Sequence, residues 1–477
     1  MNNTTSGSPA PYVIDVDEAI DASRSSPLLL AIVALCALVA LLDGFDTLAI
    51  TYAAPVIARA WQLPREAFGP IFAAHYAGAA AGAALFGLMA DRVGRRPAIL
   101  WATATIAVFA LLTPLAGGFS SLFVLRALTG VGLGGALSNV IAMVSEFAPR
   151  RWRATMVSVM YAAFPLGGVL GGPLSTYLLA SHGWEAVFIA GGIAPMLLLV
   201  LLCAALPESV RFLVARGADP KAIARTLQRL NPELNVAHAE RFVLAEHVAK
   251  DAGTLRRIFG GEHLRTSVLL GAASFLNQLV IVYIITWLPT LLVAGGFGLG
   301  DAILVSSTFS LGGIVGSLVL ARVVDRVQSW WPLTAAFLLA AAAIATVGLA
   351  PANRLMLFTV VGLAGGFIVG AQVNLSAYCA TVYPTDVRST GLGVIIGLGR
   401  GGAICGALMG TAFVAAGLSL QLQYVLSGFA SLGIALLLHT ARRTGAAPAS
   451  PELGTKRSDV VATLAVQGTP ASRSLGE

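Results

Sequence analysis

Charged side chains are scarce in this sequence. Asp, Glu, Lys and Arg make up 11% of its 477 residues, whereas 57% of the residues are hydrophobic. Soluble globular domains carry about 25% charged residues, so this shortage excludes that class. Apolar stretches recur at lengths near the ~20 residues that a helix needs to cross a bilayer. The composition therefore predicts a multi-pass membrane protein, and the 52 glycines suit close packing of lipid-embedded helices.

Features of several other protein classes are also missing. The four cysteines, Cys36, Cys203, Cys379 and Cys405, have no metal-ligand spacing and imply no disulfide framework. We therefore expect no metal and no cofactor. The glycine run 130–135 lies in an apolar stretch rather than after a strand, so it indicates helix packing and not a phosphate loop. Because no nucleophile motif occurs either, an enzyme is not expected.

The two ends of the chain are polar. The first 27 residues lack the basic start and short apolar core of a signal peptide, so residues 1–27 are predicted to be a cytoplasmic tail. Residues 442–477 are rich in Ala, Gly, Ser, Thr and Pro, and this composition predicts a disordered cytoplasmic tail.

Twelve hydrophobic spans are predicted between these tails. They begin near Leu28, Ala67, Pro97, Ser120, Arg153, Glu185, Leu264, Asp301, Pro332, Leu355, Val387 and Leu418. All but five of the 30 Lys and Arg residues fall in segments on one side of this topology. By the positive-inside rule, that side is cytoplasmic and holds both termini. The basic excess of +7 is thus a signal of topology in a bacterial inner membrane rather than of nucleic-acid binding.

The spans divide into two related halves. Residues 207–263 form a polar linker, predicted to contain short amphipathic helices on the membrane surface around residues 221–227. The spacing that separates Pro149 from Pro384, in matching loops of the two halves, also separates Asn139 from Asn374 and Asp43 from Gln278. The expected fold is all-α, with twelve transmembrane helices in two pseudo-symmetric six-helix bundles at 28–206 and 264–441. A binding site is then expected near the bilayer midplane between the halves.

Several motifs resemble those of the major facilitator superfamily. Residues 87–96 (GLMADRVGRR) resemble its signature between spans 2 and 3, and residues 207–213 (PESVRFL) resemble a sequence that closes span 6 in several of its families. Residues 43–46 (DGFD), 287–290 (WLPT), 383–388 (YPTDVR) and 399–400 (GR) are similar to the aromatic acid:proton symporter family. The resemblance covers roughly residues 28 to 440. It implies a monomeric, proton-coupled importer of small aromatic carboxylates, such as 4-hydroxybenzoate or protocatechuate, with a role in aromatic catabolism.

Ionisable residues inside the spans are the candidates for coupling. Each costs roughly 2.5–3.5 kcal/mol at the bilayer centre, so each calls for an explanation. With a helical rise of ~1.5 Å per residue, Asp43 and Arg126 lie at a similar depth, and we expect them to pair. The pair could be a static support, or a carboxylate whose proton affinity changes when the arginine moves. Asp46 is expected nearer the outer mouth, as a solvated residue or as a second coupling residue.

Arg400 is the main candidate for binding the substrate. It lies ~18 Å from the cytoplasmic face with glycines on both sides, and its fork of donors matches a carboxylate. Its guanidinium needs a partner from the other half, a water-filled cavity that admits an anion, or backbone carbonyls. The further candidates are polar or aromatic residues at plausible depth. They are His75, Asn139, Tyr161, Asn277, Gln278, Tyr283, Asn374 and Tyr378.

The loop signature is predicted to form a cytoplasmic gate. Gly87 and Gly94 would permit close approach and turning, while charged residues would latch one conformation. The predicted gate comprises Gly87, Asp91, Arg92, Gly94, Arg95, Arg96, Glu146, Arg153, Asp325 and Arg388.

Other functions remain open at this stage. Residues 167–173 (GGVLGGP) partly resemble a motif of drug–proton antiporters, which would favour efflux. Transport of another organic acid or of a sugar, and a membrane sensor for aromatic acids, are further alternatives.

Overall fold

The computed structural model describes residues 13–23, 26–232, 234, 241–244, 262–327, 329–349, 353–383 and 388–443. Within these residues, twelve helices are long and apolar enough to cross a membrane. The prediction of an all-α membrane fold with twelve spans is confirmed.

The first half of the chain contains six crossing helices. Strand β1 (Val13–Asp15) and helix α1 (Val16–Ala22) precede them. The crossing helices are α2 (Pro27–Ala60), α3 (Phe68–Val93), α4 (Arg95–Leu112), α5 (Phe119–Phe147), the consecutive pair α6 (Arg150–Tyr161) and α7 (Ala163–Ser181), and α8 (Trp184–Ala205). Two 3-10 turns, Arg65–Ala67 and Thr113–Leu115, lie at the ends of α3 and α4.

The second half repeats the arrangement after a polar connection. The connection contains α9 (Val210–Ala215), α10 (Pro220–Leu230) and β2 (Arg241–Val243). The crossing helices of this half are α11 (Glu262–Ala294), α12 (Leu299–Val327), α13 (Trp331–Leu349), α14 (Arg354–Val382), α15 (Arg388–Ala415) and α16 (Leu420–Arg443).

The connection packs against the first half. Strand β2 pairs in parallel with β1, so that Val13 lies beside Arg241. Ile223, Leu227 and Leu230 form the buried face of α10, within the same hydrophobic cluster as the start of α2. The predicted amphipathic helix is therefore present, but its apolar face is covered by protein and not by the membrane surface.

Glycines bring neighbouring helices together as predicted. A Cβ on Gly130 or Gly134 of α5 would meet the backbone of α3 at His75 or Ala79. Gly312 and Gly316 of α12 contact the backbone of α14 in the same way. Because these helices touch backbone to backbone, side chains on their other faces are held at fixed positions around the space between the halves.

The described contacts between the halves lie far from the face at which α2 begins and α16 ends, which we call the terminal face. The rings of Phe72 (α3) and Trp287 (α11) meet edge to face at 5.9 Å. Gly172 of α7 lies against the Ser307 side chain of α12. Tyr161, nearer the terminal face, is 39% exposed. The molecule is thus closed at the opposite face, with its central cleft facing the terminal face.

Candidate functional site

Arg126 and Asp46 form a buried ion pair beside the cleft. Nη1 of Arg126 donates to Oδ1 of Asp46 at 3.2 Å, and Nη2 donates to Oδ2. Their side chains are 0% and 1% exposed. Nδ1 of His75 lies 3.5 Å from Nη2 of Arg126, and the ring centre of Phe188 lies 5.5 Å from the guanidinium carbon. Each charge is neutralised by the other, so neither is free to bind a solute.

The prediction that Arg126 pairs with Asp43 is wrong. Asp46 lies three residues further along α2, about 4.5 Å at the helical rise. A depth read from the sequence is uncertain by about one helical turn, and it does not say which face of the helix a residue occupies. Asp46 is also not a solvated residue at the outer mouth, because it is enclosed by α3, α5 and α8 through His75, Arg126 and Phe188.

Asp43 lies one helical turn before Asp46 and has no such partner. It is 4% exposed, and its carboxylate accepts a hydrogen bond from Oγ1 of Thr47 at 3.3 Å. Within the described ranges, no basic side chain forms an ion pair with it. The charges of Asp46 and Arg400 act on it from a greater distance. Asp43 is therefore a carboxylate that can take up and release a proton without breaking an ion pair.

Arg400 of α15 faces the first half of the chain from the other side of the cleft. It is half-buried, and its charge acts on Asp43 and on Tyr161. No carboxylate of the described residues lies within ion-pairing distance of its guanidinium. Arg400 is held there because Gly402 lets α15 approach the backbone of α11 at Phe275. No hydrogen bond from Arg400 to a backbone carbonyl occurs among the described residues, and binding of an anion by its guanidinium stays a prediction.

Tyr161 lies where the hydrogen bonding of a membrane helix is interrupted. Helix α6 ends at Tyr161 and α7 begins at Ala163. Pro165 lacks the N–H that would bond the Tyr161 carbonyl, which explains a break at this point. The Tyr161 ring stacks on Phe164, with centres 6.0 Å apart and planes inclined by 17°. Ala162 keeps helical dihedral angles, with φ of −61° and ψ of −18°, so the span continues through this point.

Asn139 and Asn374 occupy equivalent positions in the two halves. Nδ2 of Asn139 donates to the Gly135 carbonyl at 2.8 Å, and Nδ2 of Asn374 donates to the Gly370 carbonyl at 2.9 Å. The two asparagines thus correspond both in position and in their hydrogen bond to the carbonyl four residues earlier. Since both amide groups bond their own helix, contact with a substrate stays a prediction.

Three other predicted ligands are buried side chains of the second half. The Tyr283 hydroxyl donates to Oε1 of Gln423 at 2.9 Å. Tyr378 is 1% exposed, and its ring lies 5.1 Å from that of Trp330. Asn277 is also 1% exposed. Tyr283 and Tyr378 pack on residues of the second half, because residue type and depth do not reveal which face of a helix points inward. Oδ1 of Asn277 is buried with no hydrogen-bond partner among the described residues, and its contact with a substrate stays a prediction.

A charged network ties the loop after α3 to the end of α8. Arg95 forms ion pairs with Asp91 at 2.9 Å and with Glu146 at 3.0 Å. Oε1 of Glu208 accepts hydrogen bonds from the backbone N–H groups of Arg95 at 2.9 Å and Arg96 at 3.2 Å. Burial raises the pKa of the Glu208 carboxyl above its ordinary value, although these N–H groups oppose the shift. The network lies within the first half, so its role as a latch between the halves stays a prediction.

The remaining predicted gate residues lie outside this charged network. Arg92 and Asp325 are exposed, and Arg153 is half-buried. The side chain of Arg388 lies outside the described residues. Gly87 has no neighbouring atom within 4 Å of an added Cβ, so the prediction that it permits close approach is wrong for this conformation. Gly94 does make the expected turn, with φ of +110°.

We expect Gly94→Ala to destabilise the protein by about 1–3 kcal/mol, because alanine is strained at this positive φ and its Cβ would collide with Glu208. Gly87→Ala is the matched control. It lies in open space within α3, the helix that Gly94 ends, and should be neutral or stabilising by up to about 1 kcal/mol. Thermal unfolding of the detergent-solubilised variants measures both. Equal unfolding temperatures would contradict the assignment of the turn.

Three residues near these groups were not among the predicted site residues, although Glu208 lies in the 207–213 motif. Thr47 contacts Asp43, Ser274 lies beside Gly399, and Glu208 caps α4. Thr47 and Ser274 could have been found by helical spacing, since each lies four residues from a predicted site residue, Asp43 and Gln278 respectively.

Characterised relatives align along nearly the whole chain. The chain is 36% identical to the gallate transporter of Pseudomonas putida, over 90% of this chain and 95% of that protein. It is 34% identical to the 4-hydroxybenzoate transporter PcaK of the same organism, over 85% of this chain and 90% of that protein.

Solved structures share the fold. The inward open conformation of the xylose transporter XylE from E. coli matches with a TM-score of 0.69 and 18% identity, over 91% of this chain and 99% of that chain. At this identity the likeness concerns the fold alone. The family model described as Major Facilitator Superfamily matches residues 36–407. With this match and the two aligned transporters, the chain belongs to the major facilitator superfamily.

Proposed function

We propose that this protein imports small aromatic carboxylates, of the 4-hydroxybenzoate or protocatechuate type, together with protons. It works as a monomer in the bacterial inner membrane, with the terminal face toward the cytoplasm. One observation carries the proposal: Asp43 and Arg400, on helices of different halves, are near enough for their charges to interact, and neither has an ion-pair partner among the described residues. The names of the aligned relatives, transporters of gallate and 4-hydroxybenzoate, support the same class of substrate.

The two charges explain why proton and anion cross together. In the empty cleft, the charges of Asp43 and Arg400 compensate each other. A proton on Asp43 and a carboxylate on Arg400 also leave the cleft neutral. Either ligand alone leaves one uncompensated charge, which is costly to enclose at low dielectric. The halves can therefore change conformation when the cleft is empty or fully loaded, and this is the condition for symport.

The aromatic ring needs a flat apolar surface with a few polar groups around it. Tyr161, stacked on Phe164, supplies such a surface close to both charges. The anion binds Arg400, whose guanidinium can hold both carboxylate oxygens. When the terminal face opens, water reaches the cleft, and Asp43 can release its proton to the cytoplasm.

Purified protein in liposomes should accumulate labelled 4-hydroxybenzoate when the lumen is more alkaline than the outside. One pH unit supplies about 1.4 kcal/mol per proton, enough for about tenfold accumulation. An uncoupler should reduce the ratio to one. Liposomes without protein control for diffusion of the uncharged acid. Uptake that is equally concentrative without a gradient would reject proton coupling.

Arg400→Lys should raise the KM for the anion by about 10- to 100-fold, because hydrogen bonds to charged groups contribute about 1.5–3 kcal/mol and lysine cannot bind both oxygens. The positive charge remains, so the maximal rate should fall far less. Arg322→Lys, at an exposed position, is the matched control. An unchanged KM in Arg400→Lys would remove this residue from the anion site.

A further inference from the structure

The two sides of the cleft offer different chemistry. On the side of the second half, Arg400 is accompanied by Ser274 and Gln278 of α11. A Cβ on Gly399 would lie 2.9 Å from Oγ of Ser274 and 3.2 Å from Cγ of Gln278, so both side chains border α15 next to Arg400. All three side chains can donate hydrogen bonds, and this combination suits a carboxylate.

The side of the cleft that is formed by the first half offers hydrogen-bond acceptors. The Asp43 carboxyl keeps acceptor capacity even when it is protonated, and Thr47 is the single hydrogen-bond donor to it in the described part of the chain. The Tyr161 phenol lies close enough to feel the charges of Asp43 and Arg400. Its hydroxyl has no hydrogen bond to another described residue, and the residue is 39% exposed. These groups can accept a hydrogen bond from a substrate but offer no positive charge.

We infer that the two halves recognise different parts of one substrate: the second half binds the carboxylate, and Asp43 with Tyr161 of the first half reads a hydroxyl on the ring. This inference rests on the proposed function and assigns a specificity role to Tyr161. A hydroxyl at the end of the ring away from the carboxylate would bridge the cleft from Arg400 to Asp43. Asp43 would then serve both coupling and recognition.

A bridging substrate has a consequence for rates. An acid without the ring hydroxyl still satisfies the carboxylate site, so it should bind. It leaves Asp43 and Tyr161 without their new partner when the cleft closes, and an unsatisfied buried polar group costs about 1–3 kcal/mol. This free-energy cost arises when the cleft closes around the acid, and it does not affect the initial binding of the carboxylate. An acid without the ring hydroxyl should therefore inhibit transport of the hydroxylated acid well but be transported slowly itself.

The first test compares three acids in proteoliposomes with the wild-type protein: 4-hydroxybenzoate, benzoate and 4-methoxybenzoate. We expect benzoate to compete with an inhibition constant within about tenfold of the KM for the hydroxylated acid, yet to be transported at least about tenfold more slowly. The methoxy acid cannot donate a hydrogen bond and should behave like benzoate. Equal maximal rates for the three acids would overturn the inference while leaving the proposed function intact. If none of the acids binds or crosses, the proposed function fails as well.

The second test uses Tyr161→Phe, which keeps the ring and removes the hydroxyl. It should lower the maximal rate for 4-hydroxybenzoate by about tenfold, leave benzoate nearly unchanged, and preserve proton-driven accumulation. Tyr177→Phe, on the same membrane span and 65% exposed, is the matched control. A loss that is equal for both acids would show that Tyr161 is only an apolar wall, and an unchanged rate for both acids would exclude any recognition by its hydroxyl.

Discussion

Asp43→Asn is expected to abolish concentrative uptake: the accumulation ratio should fall from about ten to one or below under a pH gradient of one unit. The amide cannot carry the proton, so the gradient no longer acts on the cleft. Arg400 keeps its place, and the anion neutralises it as before. Exchange of labelled for unlabelled acid should therefore persist, since it needs only the loaded cleft to change conformation.

The measurement pairs net accumulation with exchange in the same proteoliposomes. Asp301→Asn is the matched control, because Asp301 pairs with Arg354 at a partly exposed position, where an ion pair contributes about 0–1 kcal/mol. It should accumulate substrate like the wild type. Accumulation by Asp43→Asn at the wild-type ratio would exclude Asp43 as the proton carrier.

The main effect of Asp46→Asn should be a loss of protein stability rather than a specific loss of transport. It leaves the Arg126 guanidinium buried with no carboxylate, and breaking a buried ion pair in this way costs about 3–5 kcal/mol. Unfolding temperature and yield of the solubilised protein should fall well below those of Asp43→Asn. The two aspartates, three residues apart on one helix, thus give opposite signatures: one variant is folded but uncoupled, and the other is unstable.

A double variant separates pairing from coupling. Asp46→Asn/Arg126→Met removes both charges, and replacing a buried ion pair by uncharged side chains is often neutral or stabilising. We expect it to recover most of the stability lost in Asp46→Asn. A stable Asp46→Asn single variant that has lost accumulation would instead place the coupling proton on Asp46.

Helix number and the relation between the halves could be predicted because they depend on features that repeat along the chain. Apolar runs of sufficient length predict the crossing helices, and the constant spacing between the halves predicted the matching positions of Asn139 and Asn374, whose hydrogen bonds correspond. Charges inside apolar runs identified Asp43, Asp46, Arg126 and Arg400, because isolated charge in lipid is costly.

The direction of each side chain could not be predicted. Tyr283 lies within two helical turns of Gln278, but α11 turns it into the core, where it bonds Gln423. The partner of Arg126 was misassigned for the same reason. The sequence predicts Tyr161 as one aromatic residue among several. Its stacking on Phe164 and its place near Asp43 and Arg400 distinguish this ring from the others, and both depend on packing between helices.

The most direct test counts protons against substrate. In proteoliposomes without an imposed gradient, addition of labelled 4-hydroxybenzoate should acidify the lumen, with one proton entering for each acid molecule beyond the amount seen in protein-free liposomes. In the described part of the chain, the Asp43 carboxylate and the Arg400 guanidinium are without ion-pair partners, and the proposed pairing of one proton with one anion predicts this ratio. Uptake of the acid through the protein with no acidification of the lumen would contradict it.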